Sequence, residues 1–66
     1  MHGEFTVTFE LNRVPRRLNT PDHEQWTLED LQNGFWITRD HKLCRQSQGT
    51  YWIPPSRIIL IEVSGM

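Results

Sequence analysis

Apolar and polar residues alternate cleanly near the start of the chain, where Phe5, Val7, Phe9 and Leu11 are separated by Thr6, Thr8 and Glu10. A two-residue period predicts a strand with one buried face. Strand-favouring residues return near the C-terminus: Tyr51-Trp52-Ile53 predicts a short aromatic strand, and Ile58–Val63 an aliphatic one. Between them, neither Pro54 nor Pro55 donates a ladder hydrogen bond, so the chain turns a rigid corner there, outside any central pairing. Regular alternation after the corner sets Ile59, Ile61 and Val63 on the face opposite Ile58 and Leu60.

The middle of the chain is less periodic. Asn12-Arg13-Val14-Pro15 opens a connection that runs to about Gln25, in which Pro15 and Pro21 oppose a helix or a central strand. A stretch of that length without an element reads as a functional or mobile loop. A short helix is predicted over Leu28–Asn33. Thr27 caps it, Asp30 at the third helical position reciprocates toward the Thr27 N–H, and Trp26 and Leu31 have the spacing of a hydrophobic staple. Glu29 and Asp30 suit the positive end of the helix, and Gly34 stops it in a left-handed conformation. Phe35–Arg39 then reads as a strand with Phe35 and Ile37 on one face and Trp36 and Thr38 on the other. Asp40-His41-Lys42 forms a reversal into a short strand around Leu43–Gln46, and Ser47-Gln48-Gly49 supplies the next turn.

The run Gly49, Ile53, Pro54, Ser56, Ile58 resembles the end of SH3-type small barrels, where a strand passes through a short 3₁₀ corner into a closing strand. Sm-like barrels place a similar bent connection before their last strand. The resemblance covers residues 49–63 and implies a mostly β fold: a small five-stranded antiparallel curled sheet or SH3-like barrel with one short helix. The N-terminal half has no acidic-aromatic segment of the kind SH3 domains use for peptides, so proline-rich ligands are not implied.

Sixty-six residues make one domain, 1–66, with no internal repeat or linker. A chain of this size buries only about 60% of the surface its unfolded form exposes, so its core is small. Three Trp, three Phe and one Tyr offset this by supplying large apolar areas from few residues. Two apolar faces on the strands at 51–63 require a second cover, supplied by the 12–25 connection and the helix or by a partner. The formal net charge of −1 gives no general attraction to nucleic acid or anionic lipid. Cys44 is the sole cysteine, so no internal disulfide forms, and cytoplasmic residence is the simplest expectation. No apolar run approaches the roughly 20 residues that span a membrane, and Met1-His2-Gly3-Glu4 lacks a signal-peptide pattern.

Catalytic chemistry finds little support. His2, His23 and His41 lack the spacing of a zinc motif, and no metal or other cofactor is expected. Cys44 with His23 or His41 as base would make a nucleophile, but no elbow or orienting carboxylate pattern accompanies them. Lys42 and Arg45 would lower its thiol pKa if close. Asp22, Glu24, Glu29, Asp30 and Asp40 follow no calcium-loop pattern, and phosphate-binding glycine loops are missing. The chain therefore reads as a non-catalytic protein-interaction or oligomeric adaptor module, with a protein partner or self-association through Trp36, Trp52, Ile59 and Ile61. The alternative is an RNA- or DNA-binding surface in which Arg13, Arg16, Arg17, Arg39, Lys42, Arg45 and Arg57 track phosphates while Tyr51 stacks on a base.

Overall fold

The computed structural model describes residues 4–45 and 48–64; His2, the expected strand end at Gln46 and the turn residue Ser47 lie outside them. Among the described residues, six strands and one α-helix follow in the order β1 (Glu4–Leu11), β2 (Val14–Asn19), α1 (Leu28–Gln32), β3 (Phe35–Ile37), β4 (Leu43–Cys44), β5 (Tyr51–Ile53) and β6 (Ile58–Ser64), with a 3₁₀ turn at Pro55–Arg57. They form two antiparallel three-stranded sheets, β2–β1–β6 and β4–β3–β5.

The expected five-stranded curled sheet or SH3-like barrel is therefore not formed: both sheets stay open. Closure needs ladder bonds from one sheet to the other. Here the hydrogen-bonding of β5 ends at Pro54, and the prolines hand the chain across to β6, which pairs with β1. The second sheet is also built from strands of only two or three residues.

The extra strand is β2, inside the stretch read as a loop. Pro15 sits opposite Glu10 on an edge strand, where a missing N–H costs no interior ladder bond. Asn12 (φ 54°) and Arg13 (φ 67°) are both left-handed and link Leu11 to Val14, the requirement of a two-residue type I′ hairpin. The short helix matches expectation. Thr27 Oγ1 accepts from the Asp30 N–H at 3.1 Å, and Asp30 Oδ2 accepts from the Thr27 N–H at 3.0 Å.

The core lies between the sheets. Phe5, Val7 and Phe9 from β1 meet Phe35 and Ile37 from β3, Leu43, Ile53, and the staple pair Trp26 and Leu31. Phe9 and Phe35 join the two sheets edge to face, with ring centroids 5.3 Å apart and planes at 84°. A bulge on β6 alters the expected parity. Thr8 pairs with Leu60 but Phe9 with Ile58, so Ile59 is the extra residue. Ile58 and Ile61 consequently pack on the same core, while Ile59, Leu60 and Val63 are exposed by 61%, 50% and 61%.

Candidate functional site

All three tryptophans line one groove of about 650 Å³ between α1 and the outer side of the second sheet, together with Asp30, Gly34, Cys44 and Arg45. Strand register explains part of this. Trp36 is the middle residue of β3 and pairs with Cys44 on one side and Trp52 on the other, so the three share the face turned away from Phe35, Ile37 and Ile53. The Trp36 and Trp52 rings lie 5.4 Å apart at a tilt of 48°. Trp36 is half-buried, whereas Trp52 is 46% exposed.

Two glycines seat this pair. A β-carbon on Gly34 would stand 2.6 Å from Trp52 Cη2, and Gly34 adopts φ +93°, which L side chains avoid. A β-carbon on Gly49 would collide with the Trp36 side chain. Each indole thus lies against backbone that only glycine leaves uncovered.

Trp26 forms the opposite wall, buried beneath Arg45, whose guanidinium carbon is 3.9 Å from the ring centroid. Arg45 Nη2 donates to the Gln25 carbonyl at 2.8 Å, and Nη1 lies 3.6 Å from Asp30 Oδ2. Trp26 Nε1 donates to Glu24 Oε1 at 2.9 Å. This arrangement ties β4 to the start of α1 and fixes the wall. The Asp30 carboxyl is held below the usual carboxylate range, chiefly by the Thr27 backbone N–H, with the Thr27 hydroxyl and Arg45 assisting against partial desolvation.

Cys44 also borders a second pocket of about 390 Å³ that includes His23, Glu24 and His41. Its environment opposes nucleophilic use. Burial pushes the thiol pKa up and the Glu24 charge adds to the rise, so the condition under which Lys42 and Arg45 would lower it is not met. Among the described residues, no group of three or more His, Cys, Asp or Glu side chains is placed to hold a metal ion.

The remaining candidates are dispersed. Ile59 and Ile61 belong to β6 in the other sheet, Ile59 exposed at the bulge and Ile61 packed against the core. Arg13 lies in the first hairpin turn and Arg16 and Arg17 on β2, while Arg39 and Lys42 flank the β3–β4 turn. Three of the seven basic candidates stand beside carboxylates: Arg17 by Glu62 at 3.4 Å, Arg45 by Asp30 at 3.6 Å, and Arg57 by Glu10 at 3.9 Å. Tyr51 contacts the His41 ring edge to face, with centroids 5.9 Å apart. No helix among the described residues is long and apolar enough to cross a membrane. Comparison with protein families, curated proteins and solved structures returns no match for this chain.

Proposed function

We propose that this chain is a non-catalytic protein-binding module whose tryptophan groove takes an apolar or aromatic side chain from an extended partner segment. The observation that carries this reading is the convergence of Trp26, Trp36 and Trp52 on one open groove, with Trp52 exposed although the domain has little core to spare. Tryptophan contributes a large, rigid contact area at low entropic cost, and aromatic anchors dominate many protein interfaces. The glycine seats preorganise both rings, which reduces the ordering cost of binding. A phosphate-tracking role draws less support, because carboxylates lie beside Arg17, Arg45 and Arg57 and offset their charge.

Selection of a displayed random-peptide library against the folded chain tests the proposal. Selected peptides are expected to share an aromatic or aliphatic anchor and to shift the amide signals of Asp30, Gly34, Trp36, Arg45 and Trp52. Trp52→Ala is expected to abolish their binding while leaving the fold intact. Peptides that perturb β1, β2 or β6 instead, or that bind Trp52→Ala as well as the parent, would overturn it.

A further inference from the structure

Four strands form the edges of the two open sheets, and three of them carry features that discourage pairing with another chain. β2 carries Pro15, Arg16 and Arg17; β4 has two residues; β5 has three and runs into Pro54. β6 differs. It has seven residues, Ile58-Ile59-Leu60-Ile61-Glu62-Val63-Ser64, and is bonded to β1 on one side and to no strand on the other among the described residues. Its one charge, Glu62, lies beside Arg17. Although α1 packs against β6, Ile59 and Leu60 remain exposed.

Arg57 and Glu62 each stand beside an opposite charge of their own chain, Glu10 at 3.9 Å and Arg17 at 3.4 Å. Pairing between copies would share these exposed charges, and their order along the strand sets the register. Arg57 and Glu62 flank four apolar residues, giving Arg57-Ile58-Ile59-Leu60-Ile61-Glu62. We propose that β6 pairs antiparallel with β6 of a second copy of this chain, setting Arg57 opposite the partner's Glu62, Ile58 opposite the partner's Ile61 and Ile59 opposite the partner's Leu60. A two-fold axis repeats each contact in reverse, so both charge pairs are satisfied together, whereas parallel pairing in register would oppose like charges. This register also matches side-chain direction: Ile58 and Ile61 both point to the core side, because the bulge at Ile59 shifts the parity between them. The exposed Ile59 and Leu60 of each copy then cover one another, and the two sheets join as one of six strands. This surface lies on the sheet that does not carry the tryptophan groove, so it stands independently of the binding role proposed above.

Sedimentation equilibrium across a concentration series tests the pairing through complementary charge reversals. Arg57→Glu and Glu62→Arg are each expected to weaken the dimer about tenfold, since each places like charges opposite at both symmetry-related pairs. Mixed in equal amounts, the two variants are expected to recover parental affinity as a heterodimer. The carboxylate introduced at position 57 of one copy then faces the guanidinium introduced at position 62 of the other, and the second pair keeps its original charges. Leu60→Lys is expected to be monomeric with a circular dichroism spectrum like that of the parent. A parent chain that stays monomeric throughout overturns the proposal. So do single reversals that dimerise as well as the parent, a mixture that fails to recover, or a Leu60→Lys variant that remains dimeric.

Discussion

Gly34 is the position where one methyl group tests both the fold and the groove. Replacing it with L-alanine places a β-carbon 2.6 Å from Trp52 Cη2, 2.7 Å from Cζ2 and 2.9 Å from the Ile53 carbonyl oxygen, at φ +93°. The indole is able to swing away, but the carbonyl belongs to β5, whose Ile53 is paired with Phe35 in the ladder. The left-handed backbone costs an L residue about 1–2 kcal/mol, and overpacking adds about 1–3 kcal/mol. Stiffening of the unfolded chain returns about 0.4–1 kcal/mol. A net loss of roughly 1–4.6 kcal/mol follows from these contributions. That is a large share of the roughly 3–10 kcal/mol that sixty-six residues typically hold.

Urea unfolding followed by tryptophan fluorescence measures the loss. With a slope of about 1 kcal/mol per molar urea, the midpoint falls by roughly 1–4.6 M. A chain of this length is accessible to chemical synthesis, so D-alanine at position 34 separates the two contributions. Its methyl occupies the other hydrogen's place and tolerates positive φ, so stability is expected to equal or exceed that of the parent. An L-alanine variant within about 0.5 kcal/mol of the parent, or a D-alanine variant as unstable as the L form, would refute this account of the Gly34–Trp52 contact.

The Asp30 pKa is lowered in the folded chain, so its stabilising contribution is present above the unfolded carboxylate pKa and is lost as pH falls through the lower folded value. Thermal midpoints measured across the acid range should therefore fall less steeply for Asp30→Asn than for the parent. Arg13 holds φ 67° at the second position of a type I′ turn, where glycine is preferred; Arg13→Gly is expected to raise stability by up to about 1 kcal/mol in urea titration, with circular dichroism unchanged. Because burial keeps the Cys44 thiol protonated, its reaction with a disulfide reagent at mildly alkaline pH is expected to be slow when folded and fast in denaturant, and equal rates would contradict the buried placement.

The helix is legible in the sequence because its signals are local. Thr27, Asp30, Trp26 and Leu31 act within two turns, and the capping box and buried staple pair both form as their spacing predicts. β1 is equally legible, since its alternation survives as Phe5, Val7 and Phe9 in the core. β2 is not, for two reasons. It is largely exposed, so no apolar period marks it, and its turn uses Asn12-Arg13 in place of a glycine-containing pair. The division into two sheets depends on long-range pairing of β1 with β6 and β3 with β5, which no local pattern around Pro54-Pro55 specifies. The groove is partly legible. Trp36 and Trp52 stand out as candidates, but Trp26 reads only as a staple and Arg45 as a phosphate contact or a neighbour of Cys44, because the meeting of Trp26 and Arg45 requires β4 to return beside α1.

The apolar side chains left outside the core divide by sheet, and that division ties the two proposals to the energetics of a small domain. Trp52 opens onto the groove of the second sheet, while Ile59 and Leu60 lie on the edge of the first. Fully burying a large apolar side chain contributes about 1.5–3 kcal/mol, so these three positions together forgo several kcal/mol in an isolated chain. The core between the sheets is built around the Phe9–Phe35 contact and the staple pair, and none of these three side chains joins it. A partner is one source of the burial they lack. Separate surfaces imply separable losses: Leu60→Lys should eliminate pairing while its groove still binds selected peptides, and Trp52→Ala should lose the peptides while still dimerising. A single substitution that abolished both without unfolding the chain would show that the two surfaces act as one.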